Sequence, residues 1–155
     1  MRSCICCREK NYDTQKLTSL LYRELGLLGV SGISAEMRTL RGSGNPPARG
    51  AIDLFVYRIG REPGSMAAVL GGLDGLVFTG GIGEHDALIR QRVGEDAALL
   101  RVRVDSKANQ TAAGSGAKKI SAQDSVAEVW MIPTNEESVI ARHTAQLCGT
   151  GRHWK

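Results

Sequence analysis

The stretch LVFTGGIGEHDALIRQR, Leu76 to Arg92, reads as a short buried strand, a glycine turn and a helix in direct succession. Leu76, Val77 and Phe78 supply the strand and deliver the chain to Thr79. Gly80, Gly81 and Gly83 are expected to allow positive φ and a close backbone approach to a ligand. The helix after Glu84 is expected to aim its free N–H groups at that same space. This is the geometry of a phosphate or nucleotide pocket. The pattern is neither a Walker loop nor a dinucleotide fingerprint, and a plain strand-to-helix turn carries the same residues, so the flanking sequence has to separate the two readings.

On the N-terminal side, Leu17, Leu20, Leu21 and Leu25 fall on one helical face, ending before an apolar turn over 26–32. Ser34 is placed to cap a short helix carrying Glu36, Met37 and Arg38. A longer helix is predicted from near Ala48, with Ile52, Phe55, Val56 and Ile59 as its buried stripe, and a kink or restart at Pro63-Gly64. On the C-terminal side, the spacing predicts a helix from about Asp86 to Leu100, with Ile89, Val93, Ala97 and Leu100 inward. Val102 and Val104 alternate as a half-exposed strand, 105–118 reads as a loop, and Ile120 as a short returning strand. Val126 to Ile132 is a strand halted by Pro133, after which Thr134 or Asn135 caps a final helix. The alternation argues an α/β fold: two parallel strands whose C-terminal ends, Thr79-Gly80-Gly81 and Pro133-Thr134-Asn135-Glu136, face one crevice.

Size and charge bound the rest. A chain of 155 residues with 42% hydrophobic content can bury one ordinary core. There is no apolar run long enough for a membrane helix and no signal-peptide core, so a cytoplasmic protein is expected. The net charge of +4 comes from 20 basic residues scattered among 16 acidic ones with 5% aromatics, the pattern of a solvated surface rather than a nucleic-acid face. Cys4 and Cys7 have CxxC spacing but no second pair completes a zinc set, and an unstructured reduced leader is the competing reading.

Four separated segments, GLLGVSGISAEMR, ARGAIDLFVYRI, LDGLVFTGGIGEHDALIRQRV and IPTNEESVIARHT, resemble in order and spacing the C-terminal part of the acetate kinases, over about Leu17 to His143. The resemblance implies an incomplete C-terminal half of an actin-like ATPase fold, a short mixed sheet flanked by helices, with 1–16 as leader, 17–148 as the nucleotide-binding domain and 149–155 as tail. It implies transfer of the γ-phosphoryl of ATP to acetate, with ATP/ADP and Mg²⁺ as cofactors. Gly81, Ile82, Gly83, Glu84 and His85 match the family's nucleotide loop, His85 standing where asparagine is usual. Glu36, Met37 and Arg38 match a second nucleotide stretch that is normally Asp-x-Arg. Glu136 matches the magnesium-site residue, for which a first-turn acid favoured by the helix dipole is the alternative reading.

The phosphate loops, acetate pocket and catalytic groups of that family have no counterpart in the matched region, so an inactive fragment is expected. A dimerisation or interaction module derived from the kinase is the alternative. Homodimerisation, or association with a full-length kinase, follows from the resemblance, as do unpaired strand edges where the family's antiparallel meander would stand. No nucleic-acid or membrane partner is expected.

Overall fold

The computed structural model describes residues 12–112, 114 and 116–148, apart from the side chain of Glu136. The expected leader, with Cys4, Cys6 and Cys7, lies largely outside these residues, and the tail wholly so. The chain divides into two compact units, Met1–Met66 and Ala67–Lys155.

In the first unit, α1 (Thr14–Ser19) starts three residues before the predicted helix because Asp13 caps it, its Oδ1 accepting from the Lys16 amide at 2.7 Å. A π-turn, Leu20–Glu24, follows. The segment expected as a turn over 26–32 contains a helix, α2 (Leu27–Ser31), bracketed by Gly26 and Gly32 at positive φ. Gly29 permits it: a Cβ there would lie 2.6 Å from the Glu24 carbonyl oxygen. The Ser31 hydroxyl then closes the corner, accepting from the amides of Ile33 and Ser34 at 3.0 and 3.3 Å.

Next come α3 (Met37–Ser43) and α4 (Pro46–Leu70), whose first two residues, Pro46 and Pro47, stand in the first turn, where a missing N–H costs nothing. Ala48, Ala51, Ile52 and Val56 are buried, with Phe55 and Ile59 half-buried beside them, as the stripe predicts. Helix α4 does not restart at Pro63 but runs on to Leu70. Proline removes one bond and strains one turn, and the turns on both sides, with Ala67 buried beyond, carry the helix across. It stops where Gly71 takes φ +78° and the Gly72 amide reaches back to the Ala67 carbonyl at 2.9 Å.

The second unit is built on a three-stranded sheet, ordered β1 (Gly75–Phe78), β3 (Glu128–Met131), β2 (Lys118–Lys119). β1 and β3 are parallel, in register from Gly75 opposite Glu128 to Phe78 opposite Met131, and β2 runs antiparallel to β3. The parallel pair is the α/β arrangement expected from the sequence, with β1 and β2 as edges.

Between β1 and β2 lie α5 (Gly80–His85), α6 (Ala87–Asp96), a 3₁₀ turn Ala98–Leu100 and α7 (Ser106–Thr111). The predicted strand at Val102 and Val104 reduces to two isolated bridges, to Ala127 and Ser121. Arg101 turns the chain through φ +63°, and Asp105 caps α7 directly after Val104, so no room remains for a ladder. That cap, Oδ1 accepting from the Ala108 amide at 2.7 Å, also explains why a helix stands inside the predicted loop. Ile89, Val93 and Ala97 on the helix side are buried, as are Val102, Ile120, Ala127, Val129 and Met131 on the sheet side. The last helix among the described residues is α8 (Glu136–Leu147).

Candidate functional site

Because β1 and β3 run parallel, both leave the sheet at the same end. The last bond joining them is from the Ile132 amide to the Phe78 carbonyl, 2.9 Å. Beyond it, one chain enters the Thr79-Gly80 turn and the other the Pro133-Thr134-Asn135 turn.

Of the three glycines expected to take positive φ, Gly80 alone does so, at +73°. Gly81 and Gly83 are already helical, since α5 begins at Gly80 rather than after Glu84. At Gly83 the missing side chain makes room for the strand: a Cβ would stand 3.3 Å from the Phe78 carbonyl carbon. Gly81 is different, exposed and with open space where its Cβ would be. In the following helix, α6, one first-turn amide is already taken. Asp86, 6% exposed, caps it, Oδ1 accepting from the Ile89 amide at 3.1 Å.

Glu84 reaches across the two turns. Its Oε1 accepts from the Gly80 amide at 2.9 Å, the Thr134 amide at 2.8 Å and the Thr134 hydroxyl at 2.9 Å. Hydrogen bonds to the ionised form, first from the Thr134 amide and then from its hydroxyl, hold this carboxyl below the usual glutamate value. Burial opposes them, while the Gly80 amide and the neighbouring His85 add to the lowering.

Underneath, Arg90 is 2% exposed, and each nitrogen of its guanidinium donates to a protein acceptor. Its Nη1 donates to the carbonyls of Gly83 and Glu84 at 2.8 and 2.9 Å, its Nε to Asn109 Oδ1 at 2.7 Å and its Nη2 to the Asn109 carbonyl at 2.7 Å. Asn109 Nδ2 in turn donates to the Ala87 carbonyl at 2.8 Å. Burial pushes the guanidinium down and Asp86 opposes that, but arginine keeps its charge in proteins. One buried cation thus ties the end of the glycine turn to α7.

Between the turns is a cleft of about 540 Å³, lined by Gly80, Gly81, Thr134, Asn135 and Glu137. That volume lies in the ~300–1,000 Å³ range of small-ligand sites. Asn135 provides the cap of α8, its Oδ1 accepting from the Ser138 amide at 3.2 Å. Glu136 opens α8 directly behind that cap, but its side chain lies outside the described residues. In α5, Ile82 and Gly83 are half-buried and His85 exposed.

Glu36, Met37 and Arg38 belong to the first unit. Glu36 holds the N-cap position of α3, its amide donating to Ser34 Oγ at 3.0 Å, so Ser34 braces the cap rather than forming it. Met37 is buried and Arg38 exposed.

Sequence reasoning does not reach Arg90, Asn109 or Glu137. The available signal for Arg90 was an arginine beside the buried stripe of Ile89 and Val93, whereas Asn109 sits in a segment with no apolar period at all.

The residues present fit a nucleotide carried with Mg²⁺. Gly81 offers backbone open to close approach, and Thr134 and Asn135 offer polar walls. Among the described residues no group of three or more His, Cys, Asp or Glu could hold a metal unaided. Mg²⁺ is ordinarily held by one or two carboxylates together with phosphate oxygens and water, a demand this cleft can meet.

The family model of the acetokinase family matches residues 5–142. An acetate kinase of Rhodopseudomonas palustris is 58% identical over 144 residues, covering 93% of this chain and 36% of that enzyme. The crystal structure of Porphyromonas gingivalis acetate kinase superposes with a TM-score of 0.80 at 33% identity, covering 95% of this chain and 37% of that one. A propionate kinase from Francisella tularensis does so at 0.75 and 30% identity, covering 90% and 35%. This chain therefore spans little more than a third of the length of these relatives, and its short mixed sheet with flanking helices is part of their actin-like fold. On the family match and these identities, the chain belongs to the acetokinase family.

Proposed function

We propose that this chain supplies the adenine-nucleotide-binding part of an acetate kinase-type phosphotransferase, the reaction being ATP and acetate to ADP and acetyl phosphate. The observation that supports it best is the cleft at the C-terminal edge of two parallel strands, where α/β sheets take their ligands, with Gly81 open on one wall. In this reading Gly81, Ile82, Gly83 and His85 face the adenosine and α-phosphate, and the stretch Glu36, Met37 and Arg38 contributes a second nucleotide contact. Glu136, at the start of α8, would hold Mg²⁺. The metal would supply charge neutralisation on the phosphates.

Phosphoryl transfer also needs an aligned acceptor and clamps on the equatorial oxygens. These we assign to residues outside this chain, which spans 36% of its Rhodopseudomonas relative, so the chain alone is inactive. The resemblance to both an acetate and a propionate kinase leaves the acceptor a short carboxylate.

Calorimetric titration with ADP and Mg²⁺ tests the binding claim: saturable binding to the parent and its loss in Gly81→Val are expected. Gly81 is helical with free space around it, so the loss would come from blocked approach rather than misfolding. Equal affinity in parent and variant removes Gly81 from the site, and no binding by the parent ends the reading. An acyl-phosphate assay with ATP, Mg²⁺ and acetate should be blank; turnover would refute the inactivity.

A further inference from the structure

The sequence places Glu84 among residues that approach the nucleotide, but its carboxylate oxygen is already committed to three protein donors. Two of them lie fifty positions away on Thr134, so the link is tertiary. Beyond the Ile132–Phe78 bond, the described hydrogen bonds that join the two turns all end on this one oxygen. The backbone that carries it is anchored from beneath, because Arg90 holds the carbonyls of Gly83 and Glu84 itself. We propose that Glu84 is a positioning residue, a latch that sets the spacing of the two turns and so the width of the cleft between Gly81 and Asn135.

The latch is local in one direction and long-range in the other. Within α5 it fixes the Gly80 amide at the positive-φ corner, and across the cleft it fixes the residue before the α8 cap. A carboxylate occupied by three donors presents less charge to a phosphate than a free one, and bonds to an ionised acceptor are about twice as strong as neutral ones. The consequence for nucleotide affinity rests on the proposed function above; the latch itself does not.

Amide hydrogen exchange on the full chain tests the latch without any ligand. In Glu84→Ala the Gly80 and Thr134 amides should both exchange about tenfold faster or more, in step, while the Ile120 and Ile132 amides keep their rates. Thr134→Val, which removes the hydroxyl alone, should change both far less. Glu84→Gln keeps the shape without the charge, should fall between the two, and answers for an alanine variant that fails to fold. Exchange at Gly80 rising while Thr134 stays protected would overturn the proposal, as would a uniform rise across β3. Parallel ADP titrations should show weaker binding in Glu84→Ala than in Thr134→Val. A parent that binds no ADP refutes the nucleotide reading while the exchange rates still decide the latch.

Discussion

Replacing Arg90 by methionine should cost this chain a large share of its stability. The guanidinium makes four hydrogen bonds, and two of them, to Asn109 Oδ1 and to the Asn109 carbonyl, are fully buried. The other two, to the carbonyls of Gly83 and Glu84, are part-buried, so water can replace the lost donor there. Two buried acceptors left without partners at about 1–3 kcal/mol each give a range of about 2–6 kcal/mol. Methionine fills much of the apolar stem volume, which places the expectation near 3 kcal/mol. Small domains hold only about 5–15 kcal/mol in total. With a urea slope of about 1–3 kcal/mol per M, the unfolding midpoint should drop by roughly 1–3 M. Arg90→Lys keeps the charge but not the planar fork, so it should lose about half as much. A methionine variant within about 0.3 M of the parent would refute the assignment of Arg90 as the anchor of the turn. A lysine variant equal to the parent would show that charge alone, and not the fork, is what the site needs.

Three further outcomes follow from other contacts. Gly94→Ala would place a Cβ 2.4 Å from Val104 Cγ2, so α6 must shift from the bridge residues and about 1–3 kcal/mol should be lost in urea unfolding. Asp105→Ala removes the cap on the Ala108 amide and should cost about 1 kcal/mol in the same assay. Glu84, held low by Thr134, and Glu128, held low first by its hydrogen bond to Lys119 and then by Trp130, both have folded values below their unfolded ones. Their contribution is complete above the ordinary glutamate range of about 4.3 and lost as pH falls through the lower folded values. The stability gap between the parent and Glu84→Gln should therefore be present at neutral pH and shrink on acidification below about 4, as followed by urea unfolding at each pH.

The sequence carries the parallel strands and the inward stripes because hydrophobic period is a local signal: Ile89, Val93 and Ala97 lie where their spacing puts them. The final helix was equally legible, since Pro133 stops β3 and Asn135 caps α8. The glycine turn stands where the sequence puts it but in a different conformation. Three glycines suggest a loop with positive φ, yet one left-handed residue at Gly80 suffices to turn the chain, and the other glycines then continue as helix. The residues that hold the site were not legible for a different reason. Glu84 meets Thr134, and Arg90 meets Asn109, across separations of 50 and 19 residues, and no spacing rule links such partners.

If the turns after β1 and β3 form one nucleotide cleft, backbone amide NMR during an ADP titration with Mg²⁺ should locate the ligand there. Gly81, Thr134, Asn135 and Glu137 should then shift saturably with one common dissociation constant, with little change at β2. Shifts confined to residues elsewhere in the chain, or none at millimolar nucleotide, would contradict a nucleotide cleft there.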